Sequence, residues 1–384
     1  MSVNGGPLAG LKIVEMEGIG PAPLAAMLLA DLGAEVVRVE RMSGSGIGIA
    51  RPRAFDFAVR GRTTLSVDLK DEAGAALALD LIAKADGLIE GFRPGVMERL
   101  GLGPEVCLER NPRLSYGRLT GWGQDGPLAN TAGHDLNYLA LTGVLDRLGR
   151  AGAAPTPPIN LLGDYAGGSM LLAFGLLAAI LSARTTGRGQ VIDAAMVDGV
   201  SLLAVPLLGL IGAGIHDRAR GENLLDTGAP HYDVYPCADG AELSVAAIEP
   251  KFRTLLLTGL GFDPSSFPDV DRRENWPEAR RLIADRIVSR PRSHWVQAFE
   301  GTDACVAPVL TFEEARTHPH NLARGAHLEI DGKMQPAPGP RFSETQPGEP
   351  RGPTRGAEGA DRTLAGWGIG PDRLEVLRRS GALA

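Results

Sequence analysis

The chain of 384 residues is poor in cysteine and aromatics and carries no excess of positive charge. Its three cysteines, Cys107, Cys237 and Cys305, are odd in number and far apart. That excludes a disulfide framework and zinc-ligand spacing, so a reducing, cytoplasmic setting and no metal are expected. Aromatics at 5% beside 51 glycines suit a loop-rich α/β protein better than a coiled coil. A net charge of −7 argues against a general nucleic-acid partner, which needs a basic field to neutralise phosphates. A basic-then-apolar leader is missing from the first residues, and the final Gly-Ala-Leu-Ala is no peroxisomal address. Long apolar runs are also scarce. Residues 170–181 are too few to span a bilayer, and residues 200–215 are interrupted by Pro206 and several glycines. Both are expected to be buried helices, with no membrane partner.

What is present is an alternation of short apolar strands and helices. Strands are expected at residues 11–16, 35–39, 87–90, 114–119 and 190–193. Helices are expected at 24–32, ending at Gly33, at 71–84 with Asp71 as N-cap, and at 167–183. This order indicates a doubly wound, mostly parallel sheet. From about His231 the pattern changes. Strands at 232–237 and 242–246 flank Ala238-Asp239-Gly240, a hairpin signal, and helices follow at 274–289 and 294–300. The proline- and glycine-rich residues 336–356 are expected to be irregular, and 372–380 to form a last helix. The expected fold class is therefore α/β, a large doubly wound Rossmann-like domain with a smaller α+β domain. The expected divisions are 1–185 for the large domain, 186–224 for connecting helices, 225–320 for the small domain, and 321–384 for a segment returning to the large domain.

A strand followed by glycines, with Glu40 about twenty residues on, resembles a dinucleotide-binding start. The turn reads Gly18-Ile19-Gly20-Pro21-Ala22-Pro23, however, so the third glycine is a proline. Pro21 and Pro23 also remove two N–H donors that would hold a pyrophosphate. A plain βαβ unit is the better reading. Any nucleotide would instead be held by basic side chains at strand ends, for which Arg41, Lys70, Arg93 and Arg99 are candidates.

Two segments place a titratable side chain beside glycine near a helix boundary: Gly133-His134-Asp135 and Gly163-Asp164. Glycine admits close backbone approach, and a helix start offers free N–H donors to developing negative charge. His134 and Asp164 are thus a candidate acid/base pair flanking a substrate carbon, with Gly133 and Asp135 supplying backbone beside a carbonyl. Taken alone, His134 reads as a capping or core histidine, and Asp164 as an N-cap.

Many ordered runs resemble the family III CoA-transferase (CaiB/BaiF) superfamily over nearly the whole chain. They include Ala30-Asp31-Leu32-Gly33-Ala34-Glu35, Asp68-Leu69-Lys70, Glu90-Gly91-Phe92-Arg93-Pro94-Gly95, Thr120-Gly121-Trp122-Gly123-Gln124 and Gly187-Arg188-Gly189-Gln190. Within the superfamily the chain is most similar to the racemases acting on α-methylacyl-CoA, which carry a Gly-His-Asp motif matched by Gly133–Asp135. The resemblance implies catalysis by His134 and Asp164, with Glu249 of Ala247-Ile248-Glu249-Pro250 associated with the histidine. The expected enolate-stabilising donor is the backbone N–H of Asp135. Implied CoA contacts are Arg41, Val67, Asp68, Leu69, Lys70, Gly91, Phe92, Arg93, Arg99, Gly133, Leu136, Asn137 and Tyr138. Also implied are an acyl-CoA thioester as substrate, no separate cofactor, and an interlocked homodimer. The alternative is a CoA transferase with Asp164 as nucleophile. The chain departs from the family pattern at residues 44–62, a glycine- and arginine-rich insertion expected to bear on CoA grip, and at Phe92, where a tyrosine is expected.

Overall fold

The computed structural model describes residues 5–43, 46, 48–353 and 360–384. Gly44, Ser45 and Ile47 of the glycine-rich insertion, and residues 354–356 of the irregular segment, lie outside them. The chain divides into two compact units. The first comprises Met1–Thr142, Ile159–Leu203 and Gly325–Ala384, and the second Gly143–Pro158 with Ala204–Arg324. Residues 143–158, placed by sequence with the large domain, thus group with the second unit, and the connecting stretch 186–224 is divided at Leu203.

The first unit is built on six parallel strands: β1 (Lys12–Met16), β2 (Glu35–Glu40), β3 (Thr63–Ser66), β4 (Gly87–Glu90), β5 (Ser115–Thr120) and β6 (Gln190–Ala195). Their order is β3-β2-β1-β4-β5-β6. The direction of winding reverses between β1 and β4, and open α/β sheets hold ligands outside the carboxyl ends of strands at such a reversal. Strand β3 was not foreseen. Thr63-Thr64-Leu65-Ser66 has little apolar signal, yet Thr64 and Leu65 are buried because β3 pairs with β2. Helix α1 (Pro21–Asp31) begins three residues before the expected start. The prolines read as turn formers instead occupy its first turn, where a missing N–H costs no intrahelical bond. Helix α2 (Glu72–Ile82) starts as expected on Asp71, whose carboxylate accepts from the amides of Ala73 and Gly74 at 2.9 and 3.3 Å. The short helices α3 (Val96–Arg99) and α4 (Pro104–Arg110) follow β4, and α5 (Asp135–Leu141) follows β5.

The two faces of the sheet carry separate cores. Val14, Met16, Val37, Val39 and Leu88 pack with α2 and with the C-terminal helices Ala360–Gly366 and Pro371–Ser380. Ile13, Val36 and Ile89, one residue out of phase, pack with α1 and with α6 (Leu171–Thr186). This is the period-two alternation of a strand buried on both faces. The chain end lies beside β3: Val67 bridges Leu383, and the Asp68 amide donates to the Ala382 carbonyl at 3.0 Å. A hairpin of His327–Ile330 and Lys333–Pro336, also unforeseen, belongs to this unit.

A π-helical segment, Leu161–Met170, runs straight into α6. The continuous helical stretch of 26 residues is apolar enough and long enough to cross a membrane, and half of its most apolar window is buried in the protein. The other long apolar run departs from expectation. Helix α7 (Met196–Leu203) buries Met196, Gly199 and Val200, but α8 (Val205–Gly212), in the second unit, buries no residue. The second unit otherwise holds an antiparallel sheet of β7 (Tyr232–Pro236), β8 (Glu242–Ala246) and β9 (Val306–Pro308). It packs with α9 (Pro250–Gly259), α10 (Trp276–Ile287) and α11 (Arg292–Phe299).

Three arginines of the 44–62 insertion, Arg53, Arg60 and Arg62, are engaged by carboxylates of the first unit. Glu15, fully buried on β1, is paired with Arg38 across the β1–β2 register and with Arg62 at 2.9 Å. Arg62 also donates to the carbonyls of Arg60 and Pro23. Arg60 forms a two-pronged pair with Asp31 at the end of α1, at 3.1 and 2.6 Å, and reaches the Pro336 carbonyl at 2.9 Å. Arg53 pairs with Glu40. Removing one partner of a buried ion pair strands the other charge away from water, typically a loss of about 3–5 kcal/mol. The Glu15→Ala variant is therefore expected to lose about that much stability, read as a lower midpoint of urea unfolding by circular dichroism. An unchanged midpoint would show that the network contributes nothing net.

Candidate active site

His134 is the N-cap residue of α5, with extended backbone and an exposed side chain. Its surroundings are held from several sides. The His134 amide donates to Asn137 Oδ1 at 3.0 Å, and the Tyr138 hydroxyl donates to the Gly133 carbonyl at 2.5 Å. The Tyr138 ring stands edge-on to Trp122, with centroids 4.8 Å apart, and fills the space that a side chain at Gly121 or Gly133 would occupy. Burial pushes the Tyr138 phenol up to about 12, helped by the negative charges of Asp164 and Asp135. The hydroxyl is thus kept protonated as a donor.

Asp164 lies in the first turn of the π-helical segment, which starts six residues before the helix expected at 167–183. Single turns of π-helix recur at functional sites because the wider winding changes where side chains point. The Asp164 side chain is half-buried and accepts from Asn160 Nδ2 at 3.2 Å. It lies against Gly20 at the start of α1: a Cβ on Gly20 would stand 3.5 Å from Asp164 Oδ2. Burial raises the Asp164 pKa; the Asn160 hydrogen bond opposes that, Asp135 adds to it, and His134 opposes it. Asp135, at the first position of α5, is buried, and its Oδ2 accepts from the amides of Gly163 and Asp164 at 2.7 and 2.8 Å. A first-turn N–H of a helix has no intrahelical acceptor, so the Asp135 amide is available in principle to a ligand oxygen.

The remaining expected residues of the first unit fall at the carboxyl ends of its strands or on α5. Arg41 follows β2 and is exposed, its amide donating to Glu17 at 2.8 Å. Val67, Asp68, Leu69 and Lys70 follow β3; Val67 is buried and Lys70 exposed. Gly91, Phe92 and Arg93 follow β4, with Arg99 closing α3. Leu136 and Asn137 are exposed on α5, next to the buried Tyr138. The loop after β4 is tied down by Glu90, fully buried, which accepts from the Phe92 amide at 2.7 Å and from Arg118 at 2.9 Å. Burial pushes the Glu90 carboxyl up to about 7.

Glu249 belongs to the second unit. It is the exposed N-cap residue of α9, and its carbonyl accepts from the amides of Phe252 and Arg253, both at 3.0 Å. The sequence reading missed Asn160, Gly20 and the Asp135 carboxylate. Asn160 stands four residues before Asp164, the spacing of one helical face, a signal passed over because the helix was expected to begin only at Gly167. Gly20 and the Asp135 carboxylate reach Asp164 only through tertiary packing.

Comparison with known proteins agrees with this fold. The model of "CoA-transferase family III" matches residues 8–359. A mouse protein named alpha-methylacyl-CoA racemase is 43% identical over 97% of this chain and 93% of its own length. The human protein of the same name is 46% identical over 86% of each chain. The crystal structure of a CaiB/BaiF family protein from Brucella suis superposes with a TM-score of 0.81 at 26% identity, covering 95% of this chain and 100% of that one. With the large parallel sheet, the smaller antiparallel sheet and a match across most of its length, the chain belongs to CoA-transferase family III.

Proposed function

We propose that this protein is a racemase that interconverts the two configurations at C2 of a 2-methyl-branched acyl-CoA thioester. The observation that carries the reading is the juxtaposition of two proton-transfer groups, His134 and Asp164, at adjoining helix starts in one compact unit. Identity above 40% to proteins named alpha-methylacyl-CoA racemase supports it. The thioester carbonyl acidifies the neighbouring C–H by letting the carbanion spread into an enolate. One side chain removes that proton, the other returns one on the opposite face, and the roles exchange with the direction of reaction.

Efficient exchange of roles needs the two groups to have similar proton affinities. The half-buried setting of Asp164 raises its pKa from the ordinary carboxylate range toward that of an imidazole. The Asp135 amide is the donor to the enolate oxygen, a contribution of about 2.7–4 kcal/mol where such a donor is pre-placed. CoA is held along the carboxyl edge by Arg41, Val67–Lys70, Gly91–Arg93 and Arg99, and remote binding energy places C2 between the two groups.

The working form in this reading is an interlocked homodimer, with the large domain of one subunit facing the small domain of the other. Glu249 then orients the His134 of the opposite subunit and favours its protonated form. Large apolar side chains left exposed in the single chain support a second copy. Phe174 and Leu181 on α6 are 74% and 68% exposed, and Val205 and Leu208 on α8 are more than half exposed.

Pure protein incubated in D2O with one epimer of a 2-methylacyl-CoA, without acceptor acid, is expected to incorporate deuterium at C2 and lose stereochemical purity. Absence of exchange that is replaced by CoA transfer once a carboxylic acid is added would instead establish the transferase alternative, in which Asp164 is the expected nucleophile. The His134→Ala variant is expected to lose about 10²–10⁴-fold in kcat while retaining CoA binding. Wild-type turnover in that variant would sink the assignment. In the direction where Asp164 removes the proton, activity requires its ionised form. The rate should therefore fall with decreasing pH through an inflection above the ordinary carboxylate range, read from kcat against pH for each epimer.

A further inference from the structure

The reactive groups His134 and Asp164 sit on two different helices, so something must hold one helix start against the other. A proton-transfer pair works only when both groups stay within reach of one carbon, and an error of about 1 Å can cost 10²-fold in rate. The starts of α5 and of the π-helical segment meet at Asp135. Its Oδ2 accepts two consecutive amides, those of Gly163 and Asp164. Asp135 follows His134 directly in the chain, and Asp164 itself donates the second bond. A single carboxylate oxygen therefore links the backbones of both reactive residues.

Three observations show that this contact is built in. Asp135 is only 5% exposed, so the bonds form away from competing water. A Cβ on Gly163 would stand 2.7 Å from Asp135 Oδ2 and 3.3 Å from its Cα, so the approach requires glycine at that position. On the other side, Tyr138 and Asn137 fix the Gly133–His134 backbone, so movement of α5 is passed to His134. A negative group among free amides at a helix start is also electrostatically favourable.

We propose that the Asp135 carboxylate is the positioning residue of this site, a clamp that sets the gap between His134 and Asp164 by joining the two helix starts through Oδ2. The inference rests on the racemase reading for its kinetic consequence, but not for the clamp itself. Besides holding geometry, the carboxylate places a second negative charge near Asp164, which also faces His134, Asn160 and Tyr138. That charge favours protonated Asp164. The second oxygen, Oδ1, is buried without a hydrogen-bond partner, so an amide nitrogen put in its place meets no donor competing for the same position.

Two variants separate clamp from charge. Asp135→Ala removes both, whereas Asp135→Asn offers an oxygen to the same two amides without the charge. Amide hydrogen exchange in the absence of substrate is the first readout. Asp135→Ala is expected to lose protection at Gly163 and Asp164, and Asp135→Asn to retain it. In C2 exchange, Asp135→Ala should lose about 10²-fold in kcat with KM little changed. Asp135→Asn should recover most of that loss and move the low-pH inflection, in the direction where Asp164 is the base, to lower pH. Unchanged amide protection in Asp135→Ala would overturn the clamp. So would an Asp135→Asn variant that keeps both amides protected but is as slow as Asp135→Ala, since the carboxylate would then act by charge or by proton transfer. If the wild type showed no C2 exchange, the functional reading would fail, while loss of protection in Asp135→Ala would still establish the bridge.

Discussion

The geometry of the site depends on a stretch of helix with almost no side chains on its packed faces. Gly163, Gly167 and Gly168 of the π-helical segment meet three different helices. A Cβ on Gly163 would strike Asp135 at the start of α5, one on Gly167 would press on Val200 of α7, and one on Gly168 on Met196 of α7 and Pro21 of α1. Gly199 of α7 answers from the other side, where an added Cβ would lie 1.9 Å from the Gly167 carbonyl. Backbone-to-backbone packing of this kind leaves no rotamer freedom to absorb a substitution. It is bolted by the Ser169 hydroxyl, fully buried, which donates to the Pro21 carbonyl at 2.8 Å. Asp164 is carried on a helix that touches all three neighbours, so its position follows from theirs.

Charge is handled differently in the depths of the unit and at its rim. Below the sheet edge, Glu15, Arg38, Arg62, Asp31 and Arg60 are buried and fully engaged with one another, and they bind the 53–62 region to β1 and α1. Such a network fixes which elements lie side by side more than it adds net stability. At the carboxyl edge the pairing is incomplete. Asp164 has one side-chain donor, Asn160, and a second carboxylate nearby. An ionisable group left half-satisfied in a partly buried place has a displaced proton affinity, which is what reversible proton transfer at neutral pH requires.

Several features were legible because their physical signal is local. Alternating apolar strands and helices announced the parallel sheet, Asp71 announced the start of α2, and Ala238-Asp239-Gly240 announced the hairpin of β7 and β8. That His134 and Asp164 lie at helix starts was also legible, since each stands beside glycine at a helix boundary. Less local features were misread. Strand β3 is too polar to stand out and is a strand because β2 supplies its partner. The partners of Arg53, Arg60 and Arg62 were not legible either, since a run of cations carries no sign of the carboxylates that meet it. Helix α8 looked like core by composition, yet in the single chain its apolar residues are exposed.

The sequence by itself determined the element types of the first unit, its βαβ winding and its family, because these rest on periodicity and on ordered motifs read along the chain. Only the tertiary structure decided that Gly20 and Asn160 stand beside Asp164, that Asp135 bridges the amides of Gly163 and Asp164, and that Glu15 is caught between Arg38 and Arg62. Most of these contacts join residues more than twenty positions apart. Apart from the local Asn160–Asp164 contact, each depends on the crossing of separately formed elements, and a hydrogen bond or ion pair of that kind leaves no periodic trace in the chain.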